Sequence, residues 1–253
     1  NGADKNPNFP FSEFEGNSLS YQEANLLSNQ LANKLVSEGL EVGDRFAFLA
    51  KNCTEMAIMY YAASKVGAVP VPLNYRLADQ EWAYIINDSE AKLIIVKGNE
   101  YSDRINQISS ELKNIKKYIS ISLDNSIEKF HDFYDWLSDS SNEKPTLKIQ
   151  ENNDVYKMYT SGTTGHPKGA VLLQRNVAAN IRQYLNSLTL PRPSRTLLVA
   201  PMYHAAAMMN MCGCIAIGGP IVIQEDFIPQ DGVDCVANEK ITHTVLVPAM
   251  IQA

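Results

Sequence analysis

Apolar residues in the first hundred positions recur at two spacings, one typical of helices and one typical of buried strands. Residues 20–23 form a capping box, because the serine oxygen and the glutamate carboxylate can each satisfy a free backbone donor. Leu27, Leu31 and Leu35 follow at helical spacing, and Gly39 supplies a left-handed stop. The pattern therefore predicts a helix that begins after the capping box and ends before the glycine.

Short apolar runs alternate with further helical patterns over the same region. Strands are predicted at 46–49, 68–71 and 93–96, and helices at 54–66 and 79–87. A run that is apolar at every position is expected for a strand covered on both faces. The alternation of strands with helices indicates an α/β fold built on a parallel sheet.

The segment 98–154 is more polar than the residues before it. It contains eleven acidic and seven basic residues, so it carries −4 of the formal net charge of −6. This composition predicts a solvated face and a connecting loop, with residues 139–145 as a linker, and an acidic docking surface is the alternative. We expect residues 1–150 to form a first α/β subdomain.

The strand–helix alternation resumes after residue 154. Strands are predicted at 155–159, 196–199, 221–223 and 245–247, and a helix at 176–188. Pro248 suits the first turn of another helix, and nothing ends that helix before the sequence stops. We expect residues 151–253 to hold the start of a second α/β subdomain, and the chain to be a fragment.

Composition and charge exclude several classes of protein. With 253 residues, 45% hydrophobic and 20% charged, the chain is neither disordered nor a disulfide-stapled miniprotein. The net charge of −6 argues against nucleic-acid binding and against a polybasic membrane anchor. Residues 205–223 are apolar, but glycines and a proline interrupt them, which predicts a buried helix and strand and no integral membrane association.

The four cysteines also bear on the cellular compartment. They form no C-x-x-C pair and have no histidine cluster beside them, so a zinc site is not expected. The sequence predicts reduced thiols in a cytoplasmic protein, and it leaves a homodimer open.

A run of hydroxyl residues, glycines and one lysine follows the strand predicted at 155–159. Residues 159–169 read Y-T-S-G-T-T-G-H-P-K-G. The glycines let backbone N–H groups approach an anion, and Lys168 adds a mobile positive charge, which together suit the polyphosphate of a nucleotide. A flexible loop with an incidental lysine is the alternative. The run is neither a Walker A motif, because Pro167 and Gly169 break that pattern, nor G-x-G-x-x-G.

Residues 160–169 resemble the phosphate-loop signature of the adenylate-forming (AMP-binding) superfamily. That superfamily includes acyl- and aryl-CoA synthetases, peptide-synthetase adenylation domains and luciferases. Residues 19–74 and 247–251 are similar to other stretches of the family, and P-x-x-H at 201–204 resembles an element beside the acyl site of CoA ligases. The resemblance covers essentially the whole chain but only about the first half of a complete enzyme, and it favours the acyl-CoA synthetase branch.

The resemblance implies a fold, a reaction and its cofactors. The fold is α/β, with doubly wound, mostly parallel sheets and flanking helices, in an incomplete N-terminal domain with the C-terminal domain absent. The cofactors are ATP, Mg²⁺ and CoA. A carboxylate attacks the α-phosphorus of ATP and expels pyrophosphate, and the CoA thiol then attacks the acyl-adenylate and releases AMP.

The resemblance also assigns residues to the nucleotide phosphates. They are Thr160, Ser161, Gly162, Thr163, Thr164, Gly165, Lys168 and Gly169. Lys168 is the expected catalytic residue, because a donor aimed at the departing pyrophosphate lowers the barrier. Thr163 or Thr164 is expected to lie near the metal ion.

The P-x-x-H element implies that Tyr203 and His204 bind the acyl substrate. His204 is not expected to be a general base, because a carboxylate is already ionised near neutral pH. A packed core histidine and a hydrophobic anchor are the alternatives for the two residues. Ala207 stands where many relatives have glycine, and residues 205–209 are either an apolar acyl tunnel or plain helix core. No role is assigned to the remaining histidines, His131, His166 and His243.

The leading interpretation is the N-terminal part of an acid–thiol ligase that uses a fatty or other apolar acyl group. The chain alone is expected to bind ATP weakly and to catalyse neither half-reaction. Three alternatives stay open: a peptide-synthetase adenylation domain, a non-catalytic nucleotide-binding fragment, and an α/β domain with an incidental glycine loop.

Overall fold

The computed structural model describes residues 2–122, 127–160 and 165–253, which belong to two compact units. Unit 1 comprises Asn1–Leu27, Lys51–Ile58 and Asn176–Ala253, and unit 2 comprises Ser28–Ala50 and Met59–Arg175. Each unit is thus assembled from separate stretches of the sequence. The expected division of the chain at residue 150 stays a prediction.

The strands of the described residues are short, mostly three to seven residues. They are β1 (Pro10–Phe14), β2 (Asn17–Ser20), β3 (Arg45–Leu49), β4 (Val69–Leu73), β5 (Leu93–Lys97), β6 (Lys117–Ile121), β7 (Phe130–Asp132), β8 (Asp154–Thr160), β9 (Lys168–Leu173), β10 (Thr196–Leu198), β11 (Ile221–Ile223) and β12 (His243–Thr244).

Helices connect most of these strands. They are α1 (Gly2–Lys5), α2 (Tyr21–Ser37), α3 (Thr54–Val66), α4 (Asp79–Ser89), α5 (Asn99–Gln107), α6 (Phe133–Leu137), α7 (Gln174–Ser187), α8 (Ala205–Ala216), α9 (Pro229–Asn238) and α10 (Pro248–Gln252). A single 3₁₀ turn, Ser109–Glu111, follows α5 in the described chain.

Unit 2 is built on a five-stranded parallel sheet. Its strand order is β4-β3-β5-β6-β7, in which the second strand lies on one side of the first and the later strands extend on the other. This is a doubly wound order, so the predicted fold class is confirmed. The strands β3, β4 and β5 are buried almost throughout, as their continuous apolar runs predict. Trp82 of α4 is fully buried in the core beside them.

Unit 1 contains a second five-stranded sheet, in the order β12-β10-β11-β1-β2. All its neighbours are parallel except the β1–β2 pair, which is antiparallel. Tyr21 of α2 donates a 2.9 Å hydrogen bond to the carbonyl oxygen of Gly219, just before β11. Helix α8 follows β10 and packs beside it with its Met208 and Met211 side chains buried.

Several local predictions are confirmed at the level of hydrogen bonds. The amide of Ser20 donates to the Glu23 carboxylate at 2.8 Å, and the amide of Glu23 donates to the Ser20 hydroxyl at 3.2 Å, so the capping box forms. Gly39 adopts φ of +84°, the left-handed conformation expected after a helix. The helix predicted at 54–66 is α3, with the same bounds.

Two expectations need correction, and one strand was not predicted. Residues 245–247 are not a strand: β12 is His243–Thr244, which pairs with Thr196 and Leu197 of β10. Residues 168–173 form the unpredicted strand β9, which pairs antiparallel with β8. Residues 139–145 have no regular structure, but they are fastened to α2 and are no free linker.

The contacts of that segment come from polar side chains on α2. Asn33 donates to the carbonyl oxygens of Ser141 and Glu143, both at 2.8 Å, and Lys34 forms a 2.7 Å ion pair with Asp139. The Asn33 amide thus supplies partners for carbonyl oxygens of a segment without secondary structure, and Lys34 pairs with its carboxylate.

The predicted apolar stretch 205–223 folds as α8, a turn and β11, as expected. Among the helices of the described chain, none combines the length and the apolar character that crossing a bilayer requires. All four cysteines are free thiols; Cys53, Cys212 and Cys214 are buried and Cys235 is half-buried.

Candidate functional site

The predicted phosphate-binding segment lies in unit 2, between the two strands of a β-hairpin. Thr160 is the last residue of β8 and Lys168 the first of β9, and the two are paired in register. Gly165 adopts φ of +148°, which L side chains rarely adopt. The predicted site residues Ser161, Gly162, Thr163 and Thr164 lie outside the described residues.

Lys168 projects from a defined backbone position into solvent. Its neighbour across the hairpin, Thr160, places its hydroxyl 3.5 Å from the Lys168 carbonyl oxygen. Both side chains are exposed. Lys168 takes part in none of the ion pairs found among residues 2–122, 127–160 and 165–253. The lysine is therefore positioned by the hairpin while its charge stays available to an anion.

Asp88, in the last turn of α4, contacts the end of β8 that leads into the phosphate-binding segment. The Tyr159 hydroxyl donates a short hydrogen bond to the Asp88 carboxylate, and the Lys157 ammonium lies 3.3 Å from the same oxygen. The hydrogen bond from Tyr159 lowers the pKa of the Asp88 carboxyl group, and the Lys157 charge adds to this effect. Burial raises the pKa of the Tyr159 hydroxyl, and its bond to Asp88 raises that pKa further. Both shifts favour a tyrosine that donates to an ionised carboxylate.

Gly169 leaves room for these side chains to cross the hairpin. A β-carbon at residue 169 would lie 2.1 Å from Lys157 Cε and 3.0 Å from Tyr159 Cζ. Tyr159 is the cross-strand partner of Gly169, so the two positions face each other directly. The glycine that closes the motif therefore has a packing role here in addition to the phosphate contact that the motif implies.

His166 makes a contact that the sequence does not reveal. Its ring stacks on Tyr84 of α4, with ring centroids 4.6 Å apart and an interplanar angle of 20°. Sequence reasoning assigned it no role, since it occupies the variable position of the motif and Tyr84 is more than eighty residues earlier. Tyr84 and Asp88 were missed for the same reason.

The predicted acyl-site residues lie in unit 1, at the start of α8. His204 is the N-cap residue of that helix and is exposed, so it is not a packed core histidine. Tyr203 is 7% exposed, with its ring centroid 4.3 Å from that of His204. The burial of Tyr203 fits the alternative of a hydrophobic anchor.

The helix that follows divides its residues between surface and core. Ala205 and Ala206 are exposed, whereas Ala207 and Met208 are buried. The buried pair belongs to the helix core, which was the second of the two alternatives for this stretch.

Asn52 fixes the loop that leads to Tyr203 and His204. Its side-chain amide donates to the carbonyl oxygens of Ala200 and Gln224, both at 3.1 Å, and its oxygen accepts the Met202 amide at 2.7 Å. The residue is only 2% exposed. These hydrogen bonds all go to backbone groups, so Asn52 has a structural role. No sequence pattern around residue 52 predicts that role.

Unit 1 also contains an apolar groove of about 470 Å³ between α9 and the end of the chain. Val233, Val236 and Ile251 line it and are exposed. The groove includes none of the predicted site residues. The described residues contain no cluster of three or more histidine, cysteine or acidic side chains that could hold a metal ion.

Comparison with known proteins gives consistent matches over the whole chain. The family described as AMP-binding enzyme matches residues 1–253. The long-chain-fatty-acid–CoA ligase FadD13 of Mycobacterium tuberculosis is 29% identical over 235 residues, which cover 92% of this chain. The feruloyl-CoA synthase of an Amycolatopsis species is 30% identical over 239 residues, which cover 94%. The chain spans about 45% of the length of each of these relatives.

Solved structures give the same picture. The inhibitor-bound N-terminal domain of FACL13 from Mycobacterium tuberculosis superposes with a TM-score of 0.89 at 26% identity. The match covers 99% of this chain and 62% of that domain.

Proposed function

The chain belongs to the AMP-binding enzyme family, and from that membership we propose that the longer protein containing it is an acid–thiol ligase. The enzyme would activate a carboxylic acid with ATP to an acyl-adenylate and then form an acyl-CoA thioester. The observation that carries the proposal is the ten-residue motif on the β8–β9 hairpin, with the exposed Lys168 at the first position of β9.

In the first half-reaction a carboxylate oxygen forms a bond to the α-phosphorus of ATP while the bond to the pyrophosphate oxygen breaks. Negative charge gathers on the pyrophosphate, and a preorganised cation lowers the energy of that transition state. We assign this role to Lys168. We assign the β- and γ-phosphates to the motif residues Thr160, Ser161, Gly162, Thr163, Thr164, Gly165 and Gly169.

Mg²⁺ would enter this site with the phosphates of ATP. A hydroxyl oxygen of Thr163 or Thr164 is the hard ligand such an ion prefers. In the second half-reaction the CoA thiol sulfur bonds to the acyl carbonyl carbon and AMP leaves with the electron pair of the broken mixed-anhydride bond.

We further propose an apolar acyl substrate, fatty or aromatic, contacted by Tyr203 and His204. The relatives support this class, since one is a long-chain-fatty-acid ligase and another a feruloyl-CoA synthase. The free thiols of the chain fit a reducing compartment, and we propose a cytoplasmic enzyme.

The test is acid-dependent exchange of labelled pyrophosphate into ATP by the longer protein, over a panel of carboxylic acids. Exchange with apolar acids, followed by thioester formation with CoA, is the expected result. Exchange with amino acids, and transfer to a carrier-protein thiol in place of CoA, would indicate a peptide-synthetase adenylation domain. Absence of exchange with every acid would refute the ligase proposal.

The 253-residue chain alone is expected to form no AMP in the same assay. Calorimetry with Mg-ATP then distinguishes two of the alternatives. A non-catalytic nucleotide-binding fragment gives a heat of binding, and an α/β domain with an incidental glycine loop gives none.

A further inference from the structure

Helix α4 contacts the hairpin on both sides of the phosphate-binding segment. Tyr84 and Asp88 are four residues apart and therefore lie on the same face of the helix. Asp88 accepts the hydrogen bond from Tyr159, which precedes the segment, and Tyr84 stacks on His166, which lies near its end. One helical turn thus holds the chain at residue 159 and again at residue 166.

The helix that makes these contacts is firmly fixed in unit 2. Its opposite face buries Trp82, Ile85 and Ile86, all at 2% exposure or less. Its first turn is closed by a 2.9 Å hydrogen bond from the Ala78 amide to the Glu81 carboxylate. Motion of the hairpin relative to α4 would break the two contacts before it disturbed this core.

We propose that Tyr84, Asp88, Tyr159 and His166, together called the α4 clamp, position the phosphate-binding segment for the polyphosphate of ATP. This inference rests on the proposed function. Because α4 holds the chain at residues 159 and 166, Lys168, two residues after His166, needs less rearrangement in the transition state. These are positioning residues: the clamp acts through the hairpin and contributes no group to the reaction.

The contact of His166 with Tyr84 depends on a residue that the motif does not specify. The motif leaves position 166 open, and any ring that stacks on Tyr84 can fulfil the same role. His166 is exposed, so its replacement by alanine removes the stack without opening a core cavity. Replacement by phenylalanine restores a planar ring.

The first arm of the test uses kinetics of the longer enzyme. Tyr159→Phe, which deletes the hydroxyl bonded to Asp88, and His166→Ala should each lower kcat/KM for ATP in pyrophosphate exchange by about tenfold. His166→Phe should recover most of that loss. Thioester formation from supplied acyl-adenylate should stay at the wild-type rate in all three, because that step does not use the pyrophosphate site.

The second arm is independent of activity. Backbone hydrogen exchange of the peptide covering 160–168, measured without ATP, should be about tenfold faster in Tyr159→Phe and His166→Ala. Tyr118→Phe is the matched control: it deletes a hydroxyl in the same unit, 3.4 Å from the Ser109 carbonyl oxygen, and should change neither measurement.

The outcomes separate the two proposals. Wild-type exchange rates at 160–168 in both variants would overturn the clamp. Faster hydrogen exchange with unchanged kcat/KM for ATP would overturn its positioning role. A wild-type enzyme inactive with every acid would refute the ligase proposal, and the hydrogen-exchange arm would still decide whether the clamp exists.

Discussion

Lys168 is the residue on which the proposed chemistry depends most directly. Lys168→Ala in the longer enzyme removes the cation facing the departing pyrophosphate, so we expect the barrier to adenylation to rise by about 3–4 kcal/mol. Pyrophosphate exchange would then be slower by a factor of hundreds. The measurement is exchange at saturating acid and ATP, with thermal melting to show that the exposed position tolerates alanine. A rate within twofold of wild type would refute the assigned role.

Two glycines of unit 1, Gly219 and Gly232, differ in the space around them, which gives a second test. A β-carbon at Gly219 would lie 2.3 Å from the Ser194 carbonyl oxygen, a backbone atom that cannot move aside cheaply. A β-carbon at Gly232, inside α9, would meet nothing closer than 3.8 Å. We expect Gly219→Ala to lower the free energy of unfolding by about 1–3 kcal/mol and Gly232→Ala to raise it by about 0.5–1 kcal/mol.

Urea unfolding of both variants is the measurement. Equal midpoints for the two variants would show that a β-carbon at residue 219 does not destabilise the protein.

Some residues of the candidate site could be identified from the sequence and others could not. The motif at 160–169 could be found without a structure, because its residues are contiguous and each type suits an anion. Tyr84 and Asp88 could not, since their only link to the motif is a contact between elements distant in sequence. Asn52 is similar: its role is set by three backbone groups, two in the loop before α8 and one just after β11.

Helices and strands were predicted correctly where residues close in sequence determine them. The capping box, the left-handed glycine and the apolar run of β5 each determine their element through neighbours in sequence. β9 was missed because none of its residues is buried and its strand depends on pairing with β8, and β12 was misplaced because its pairing with β10 ends at Thr244. Pairing between strands is non-local, and hydrophobic pattern does not encode its register on a half-exposed hairpin.

Asn52 gives a prediction about how one loop is held by another. Asn52→Ala would remove three hydrogen bonds, to the carbonyl oxygens of Ala200 and Gln224 and to the Met202 amide, each worth about 1 kcal/mol. We therefore expect the free energy of unfolding to fall by about 3 kcal/mol or more. Asn17→Ala is the control, since Asn17 is exposed and its side-chain amide donates to the Glu15 carbonyl oxygen over a long 3.4 Å. Equal unfolding midpoints for the two variants would contradict the proposed role of Asn52.

Across the whole molecule, the α/β fold agrees with the prediction from sequence, whereas the candidate site contains contacts that the sequence did not predict. The superfamily resemblance is confirmed over residues 1–253. The assigned phosphate residues belong to unit 2 and the assigned acyl residues to unit 1. Both sets lie in the second half of the sequence, but the chain passes between the two units several times, so the unit that a residue belongs to does not follow from its place in the sequence.

The stability of the whole chain should depend on pH through His243. Its Nδ1 lies 2.9 Å from the Thr242 hydroxyl, and its buried Nε2 has no hydrogen-bond partner among the described residues. Burial lowers the pKa of this imidazole below its usual value of about 6.5. The unfolded chain therefore binds more protons at this site than the folded chain, and the free energy of unfolding falls as the pH drops below about 6.5. The fall ends once the pH is below the folded-state pKa.

His243→Gln should remove this contribution, so that its free energy of unfolding changes less between pH 7 and pH 5 than that of the wild type. His131→Gln, at an exposed position of β7, is the matched substitution that controls for the loss of a histidine as such. Urea unfolding at half-unit pH intervals measures all three. Parallel curves for wild type and His243→Gln would mean that the buried imidazole does not resist protonation, and that the acid sensitivity of the fold has its origin in other groups.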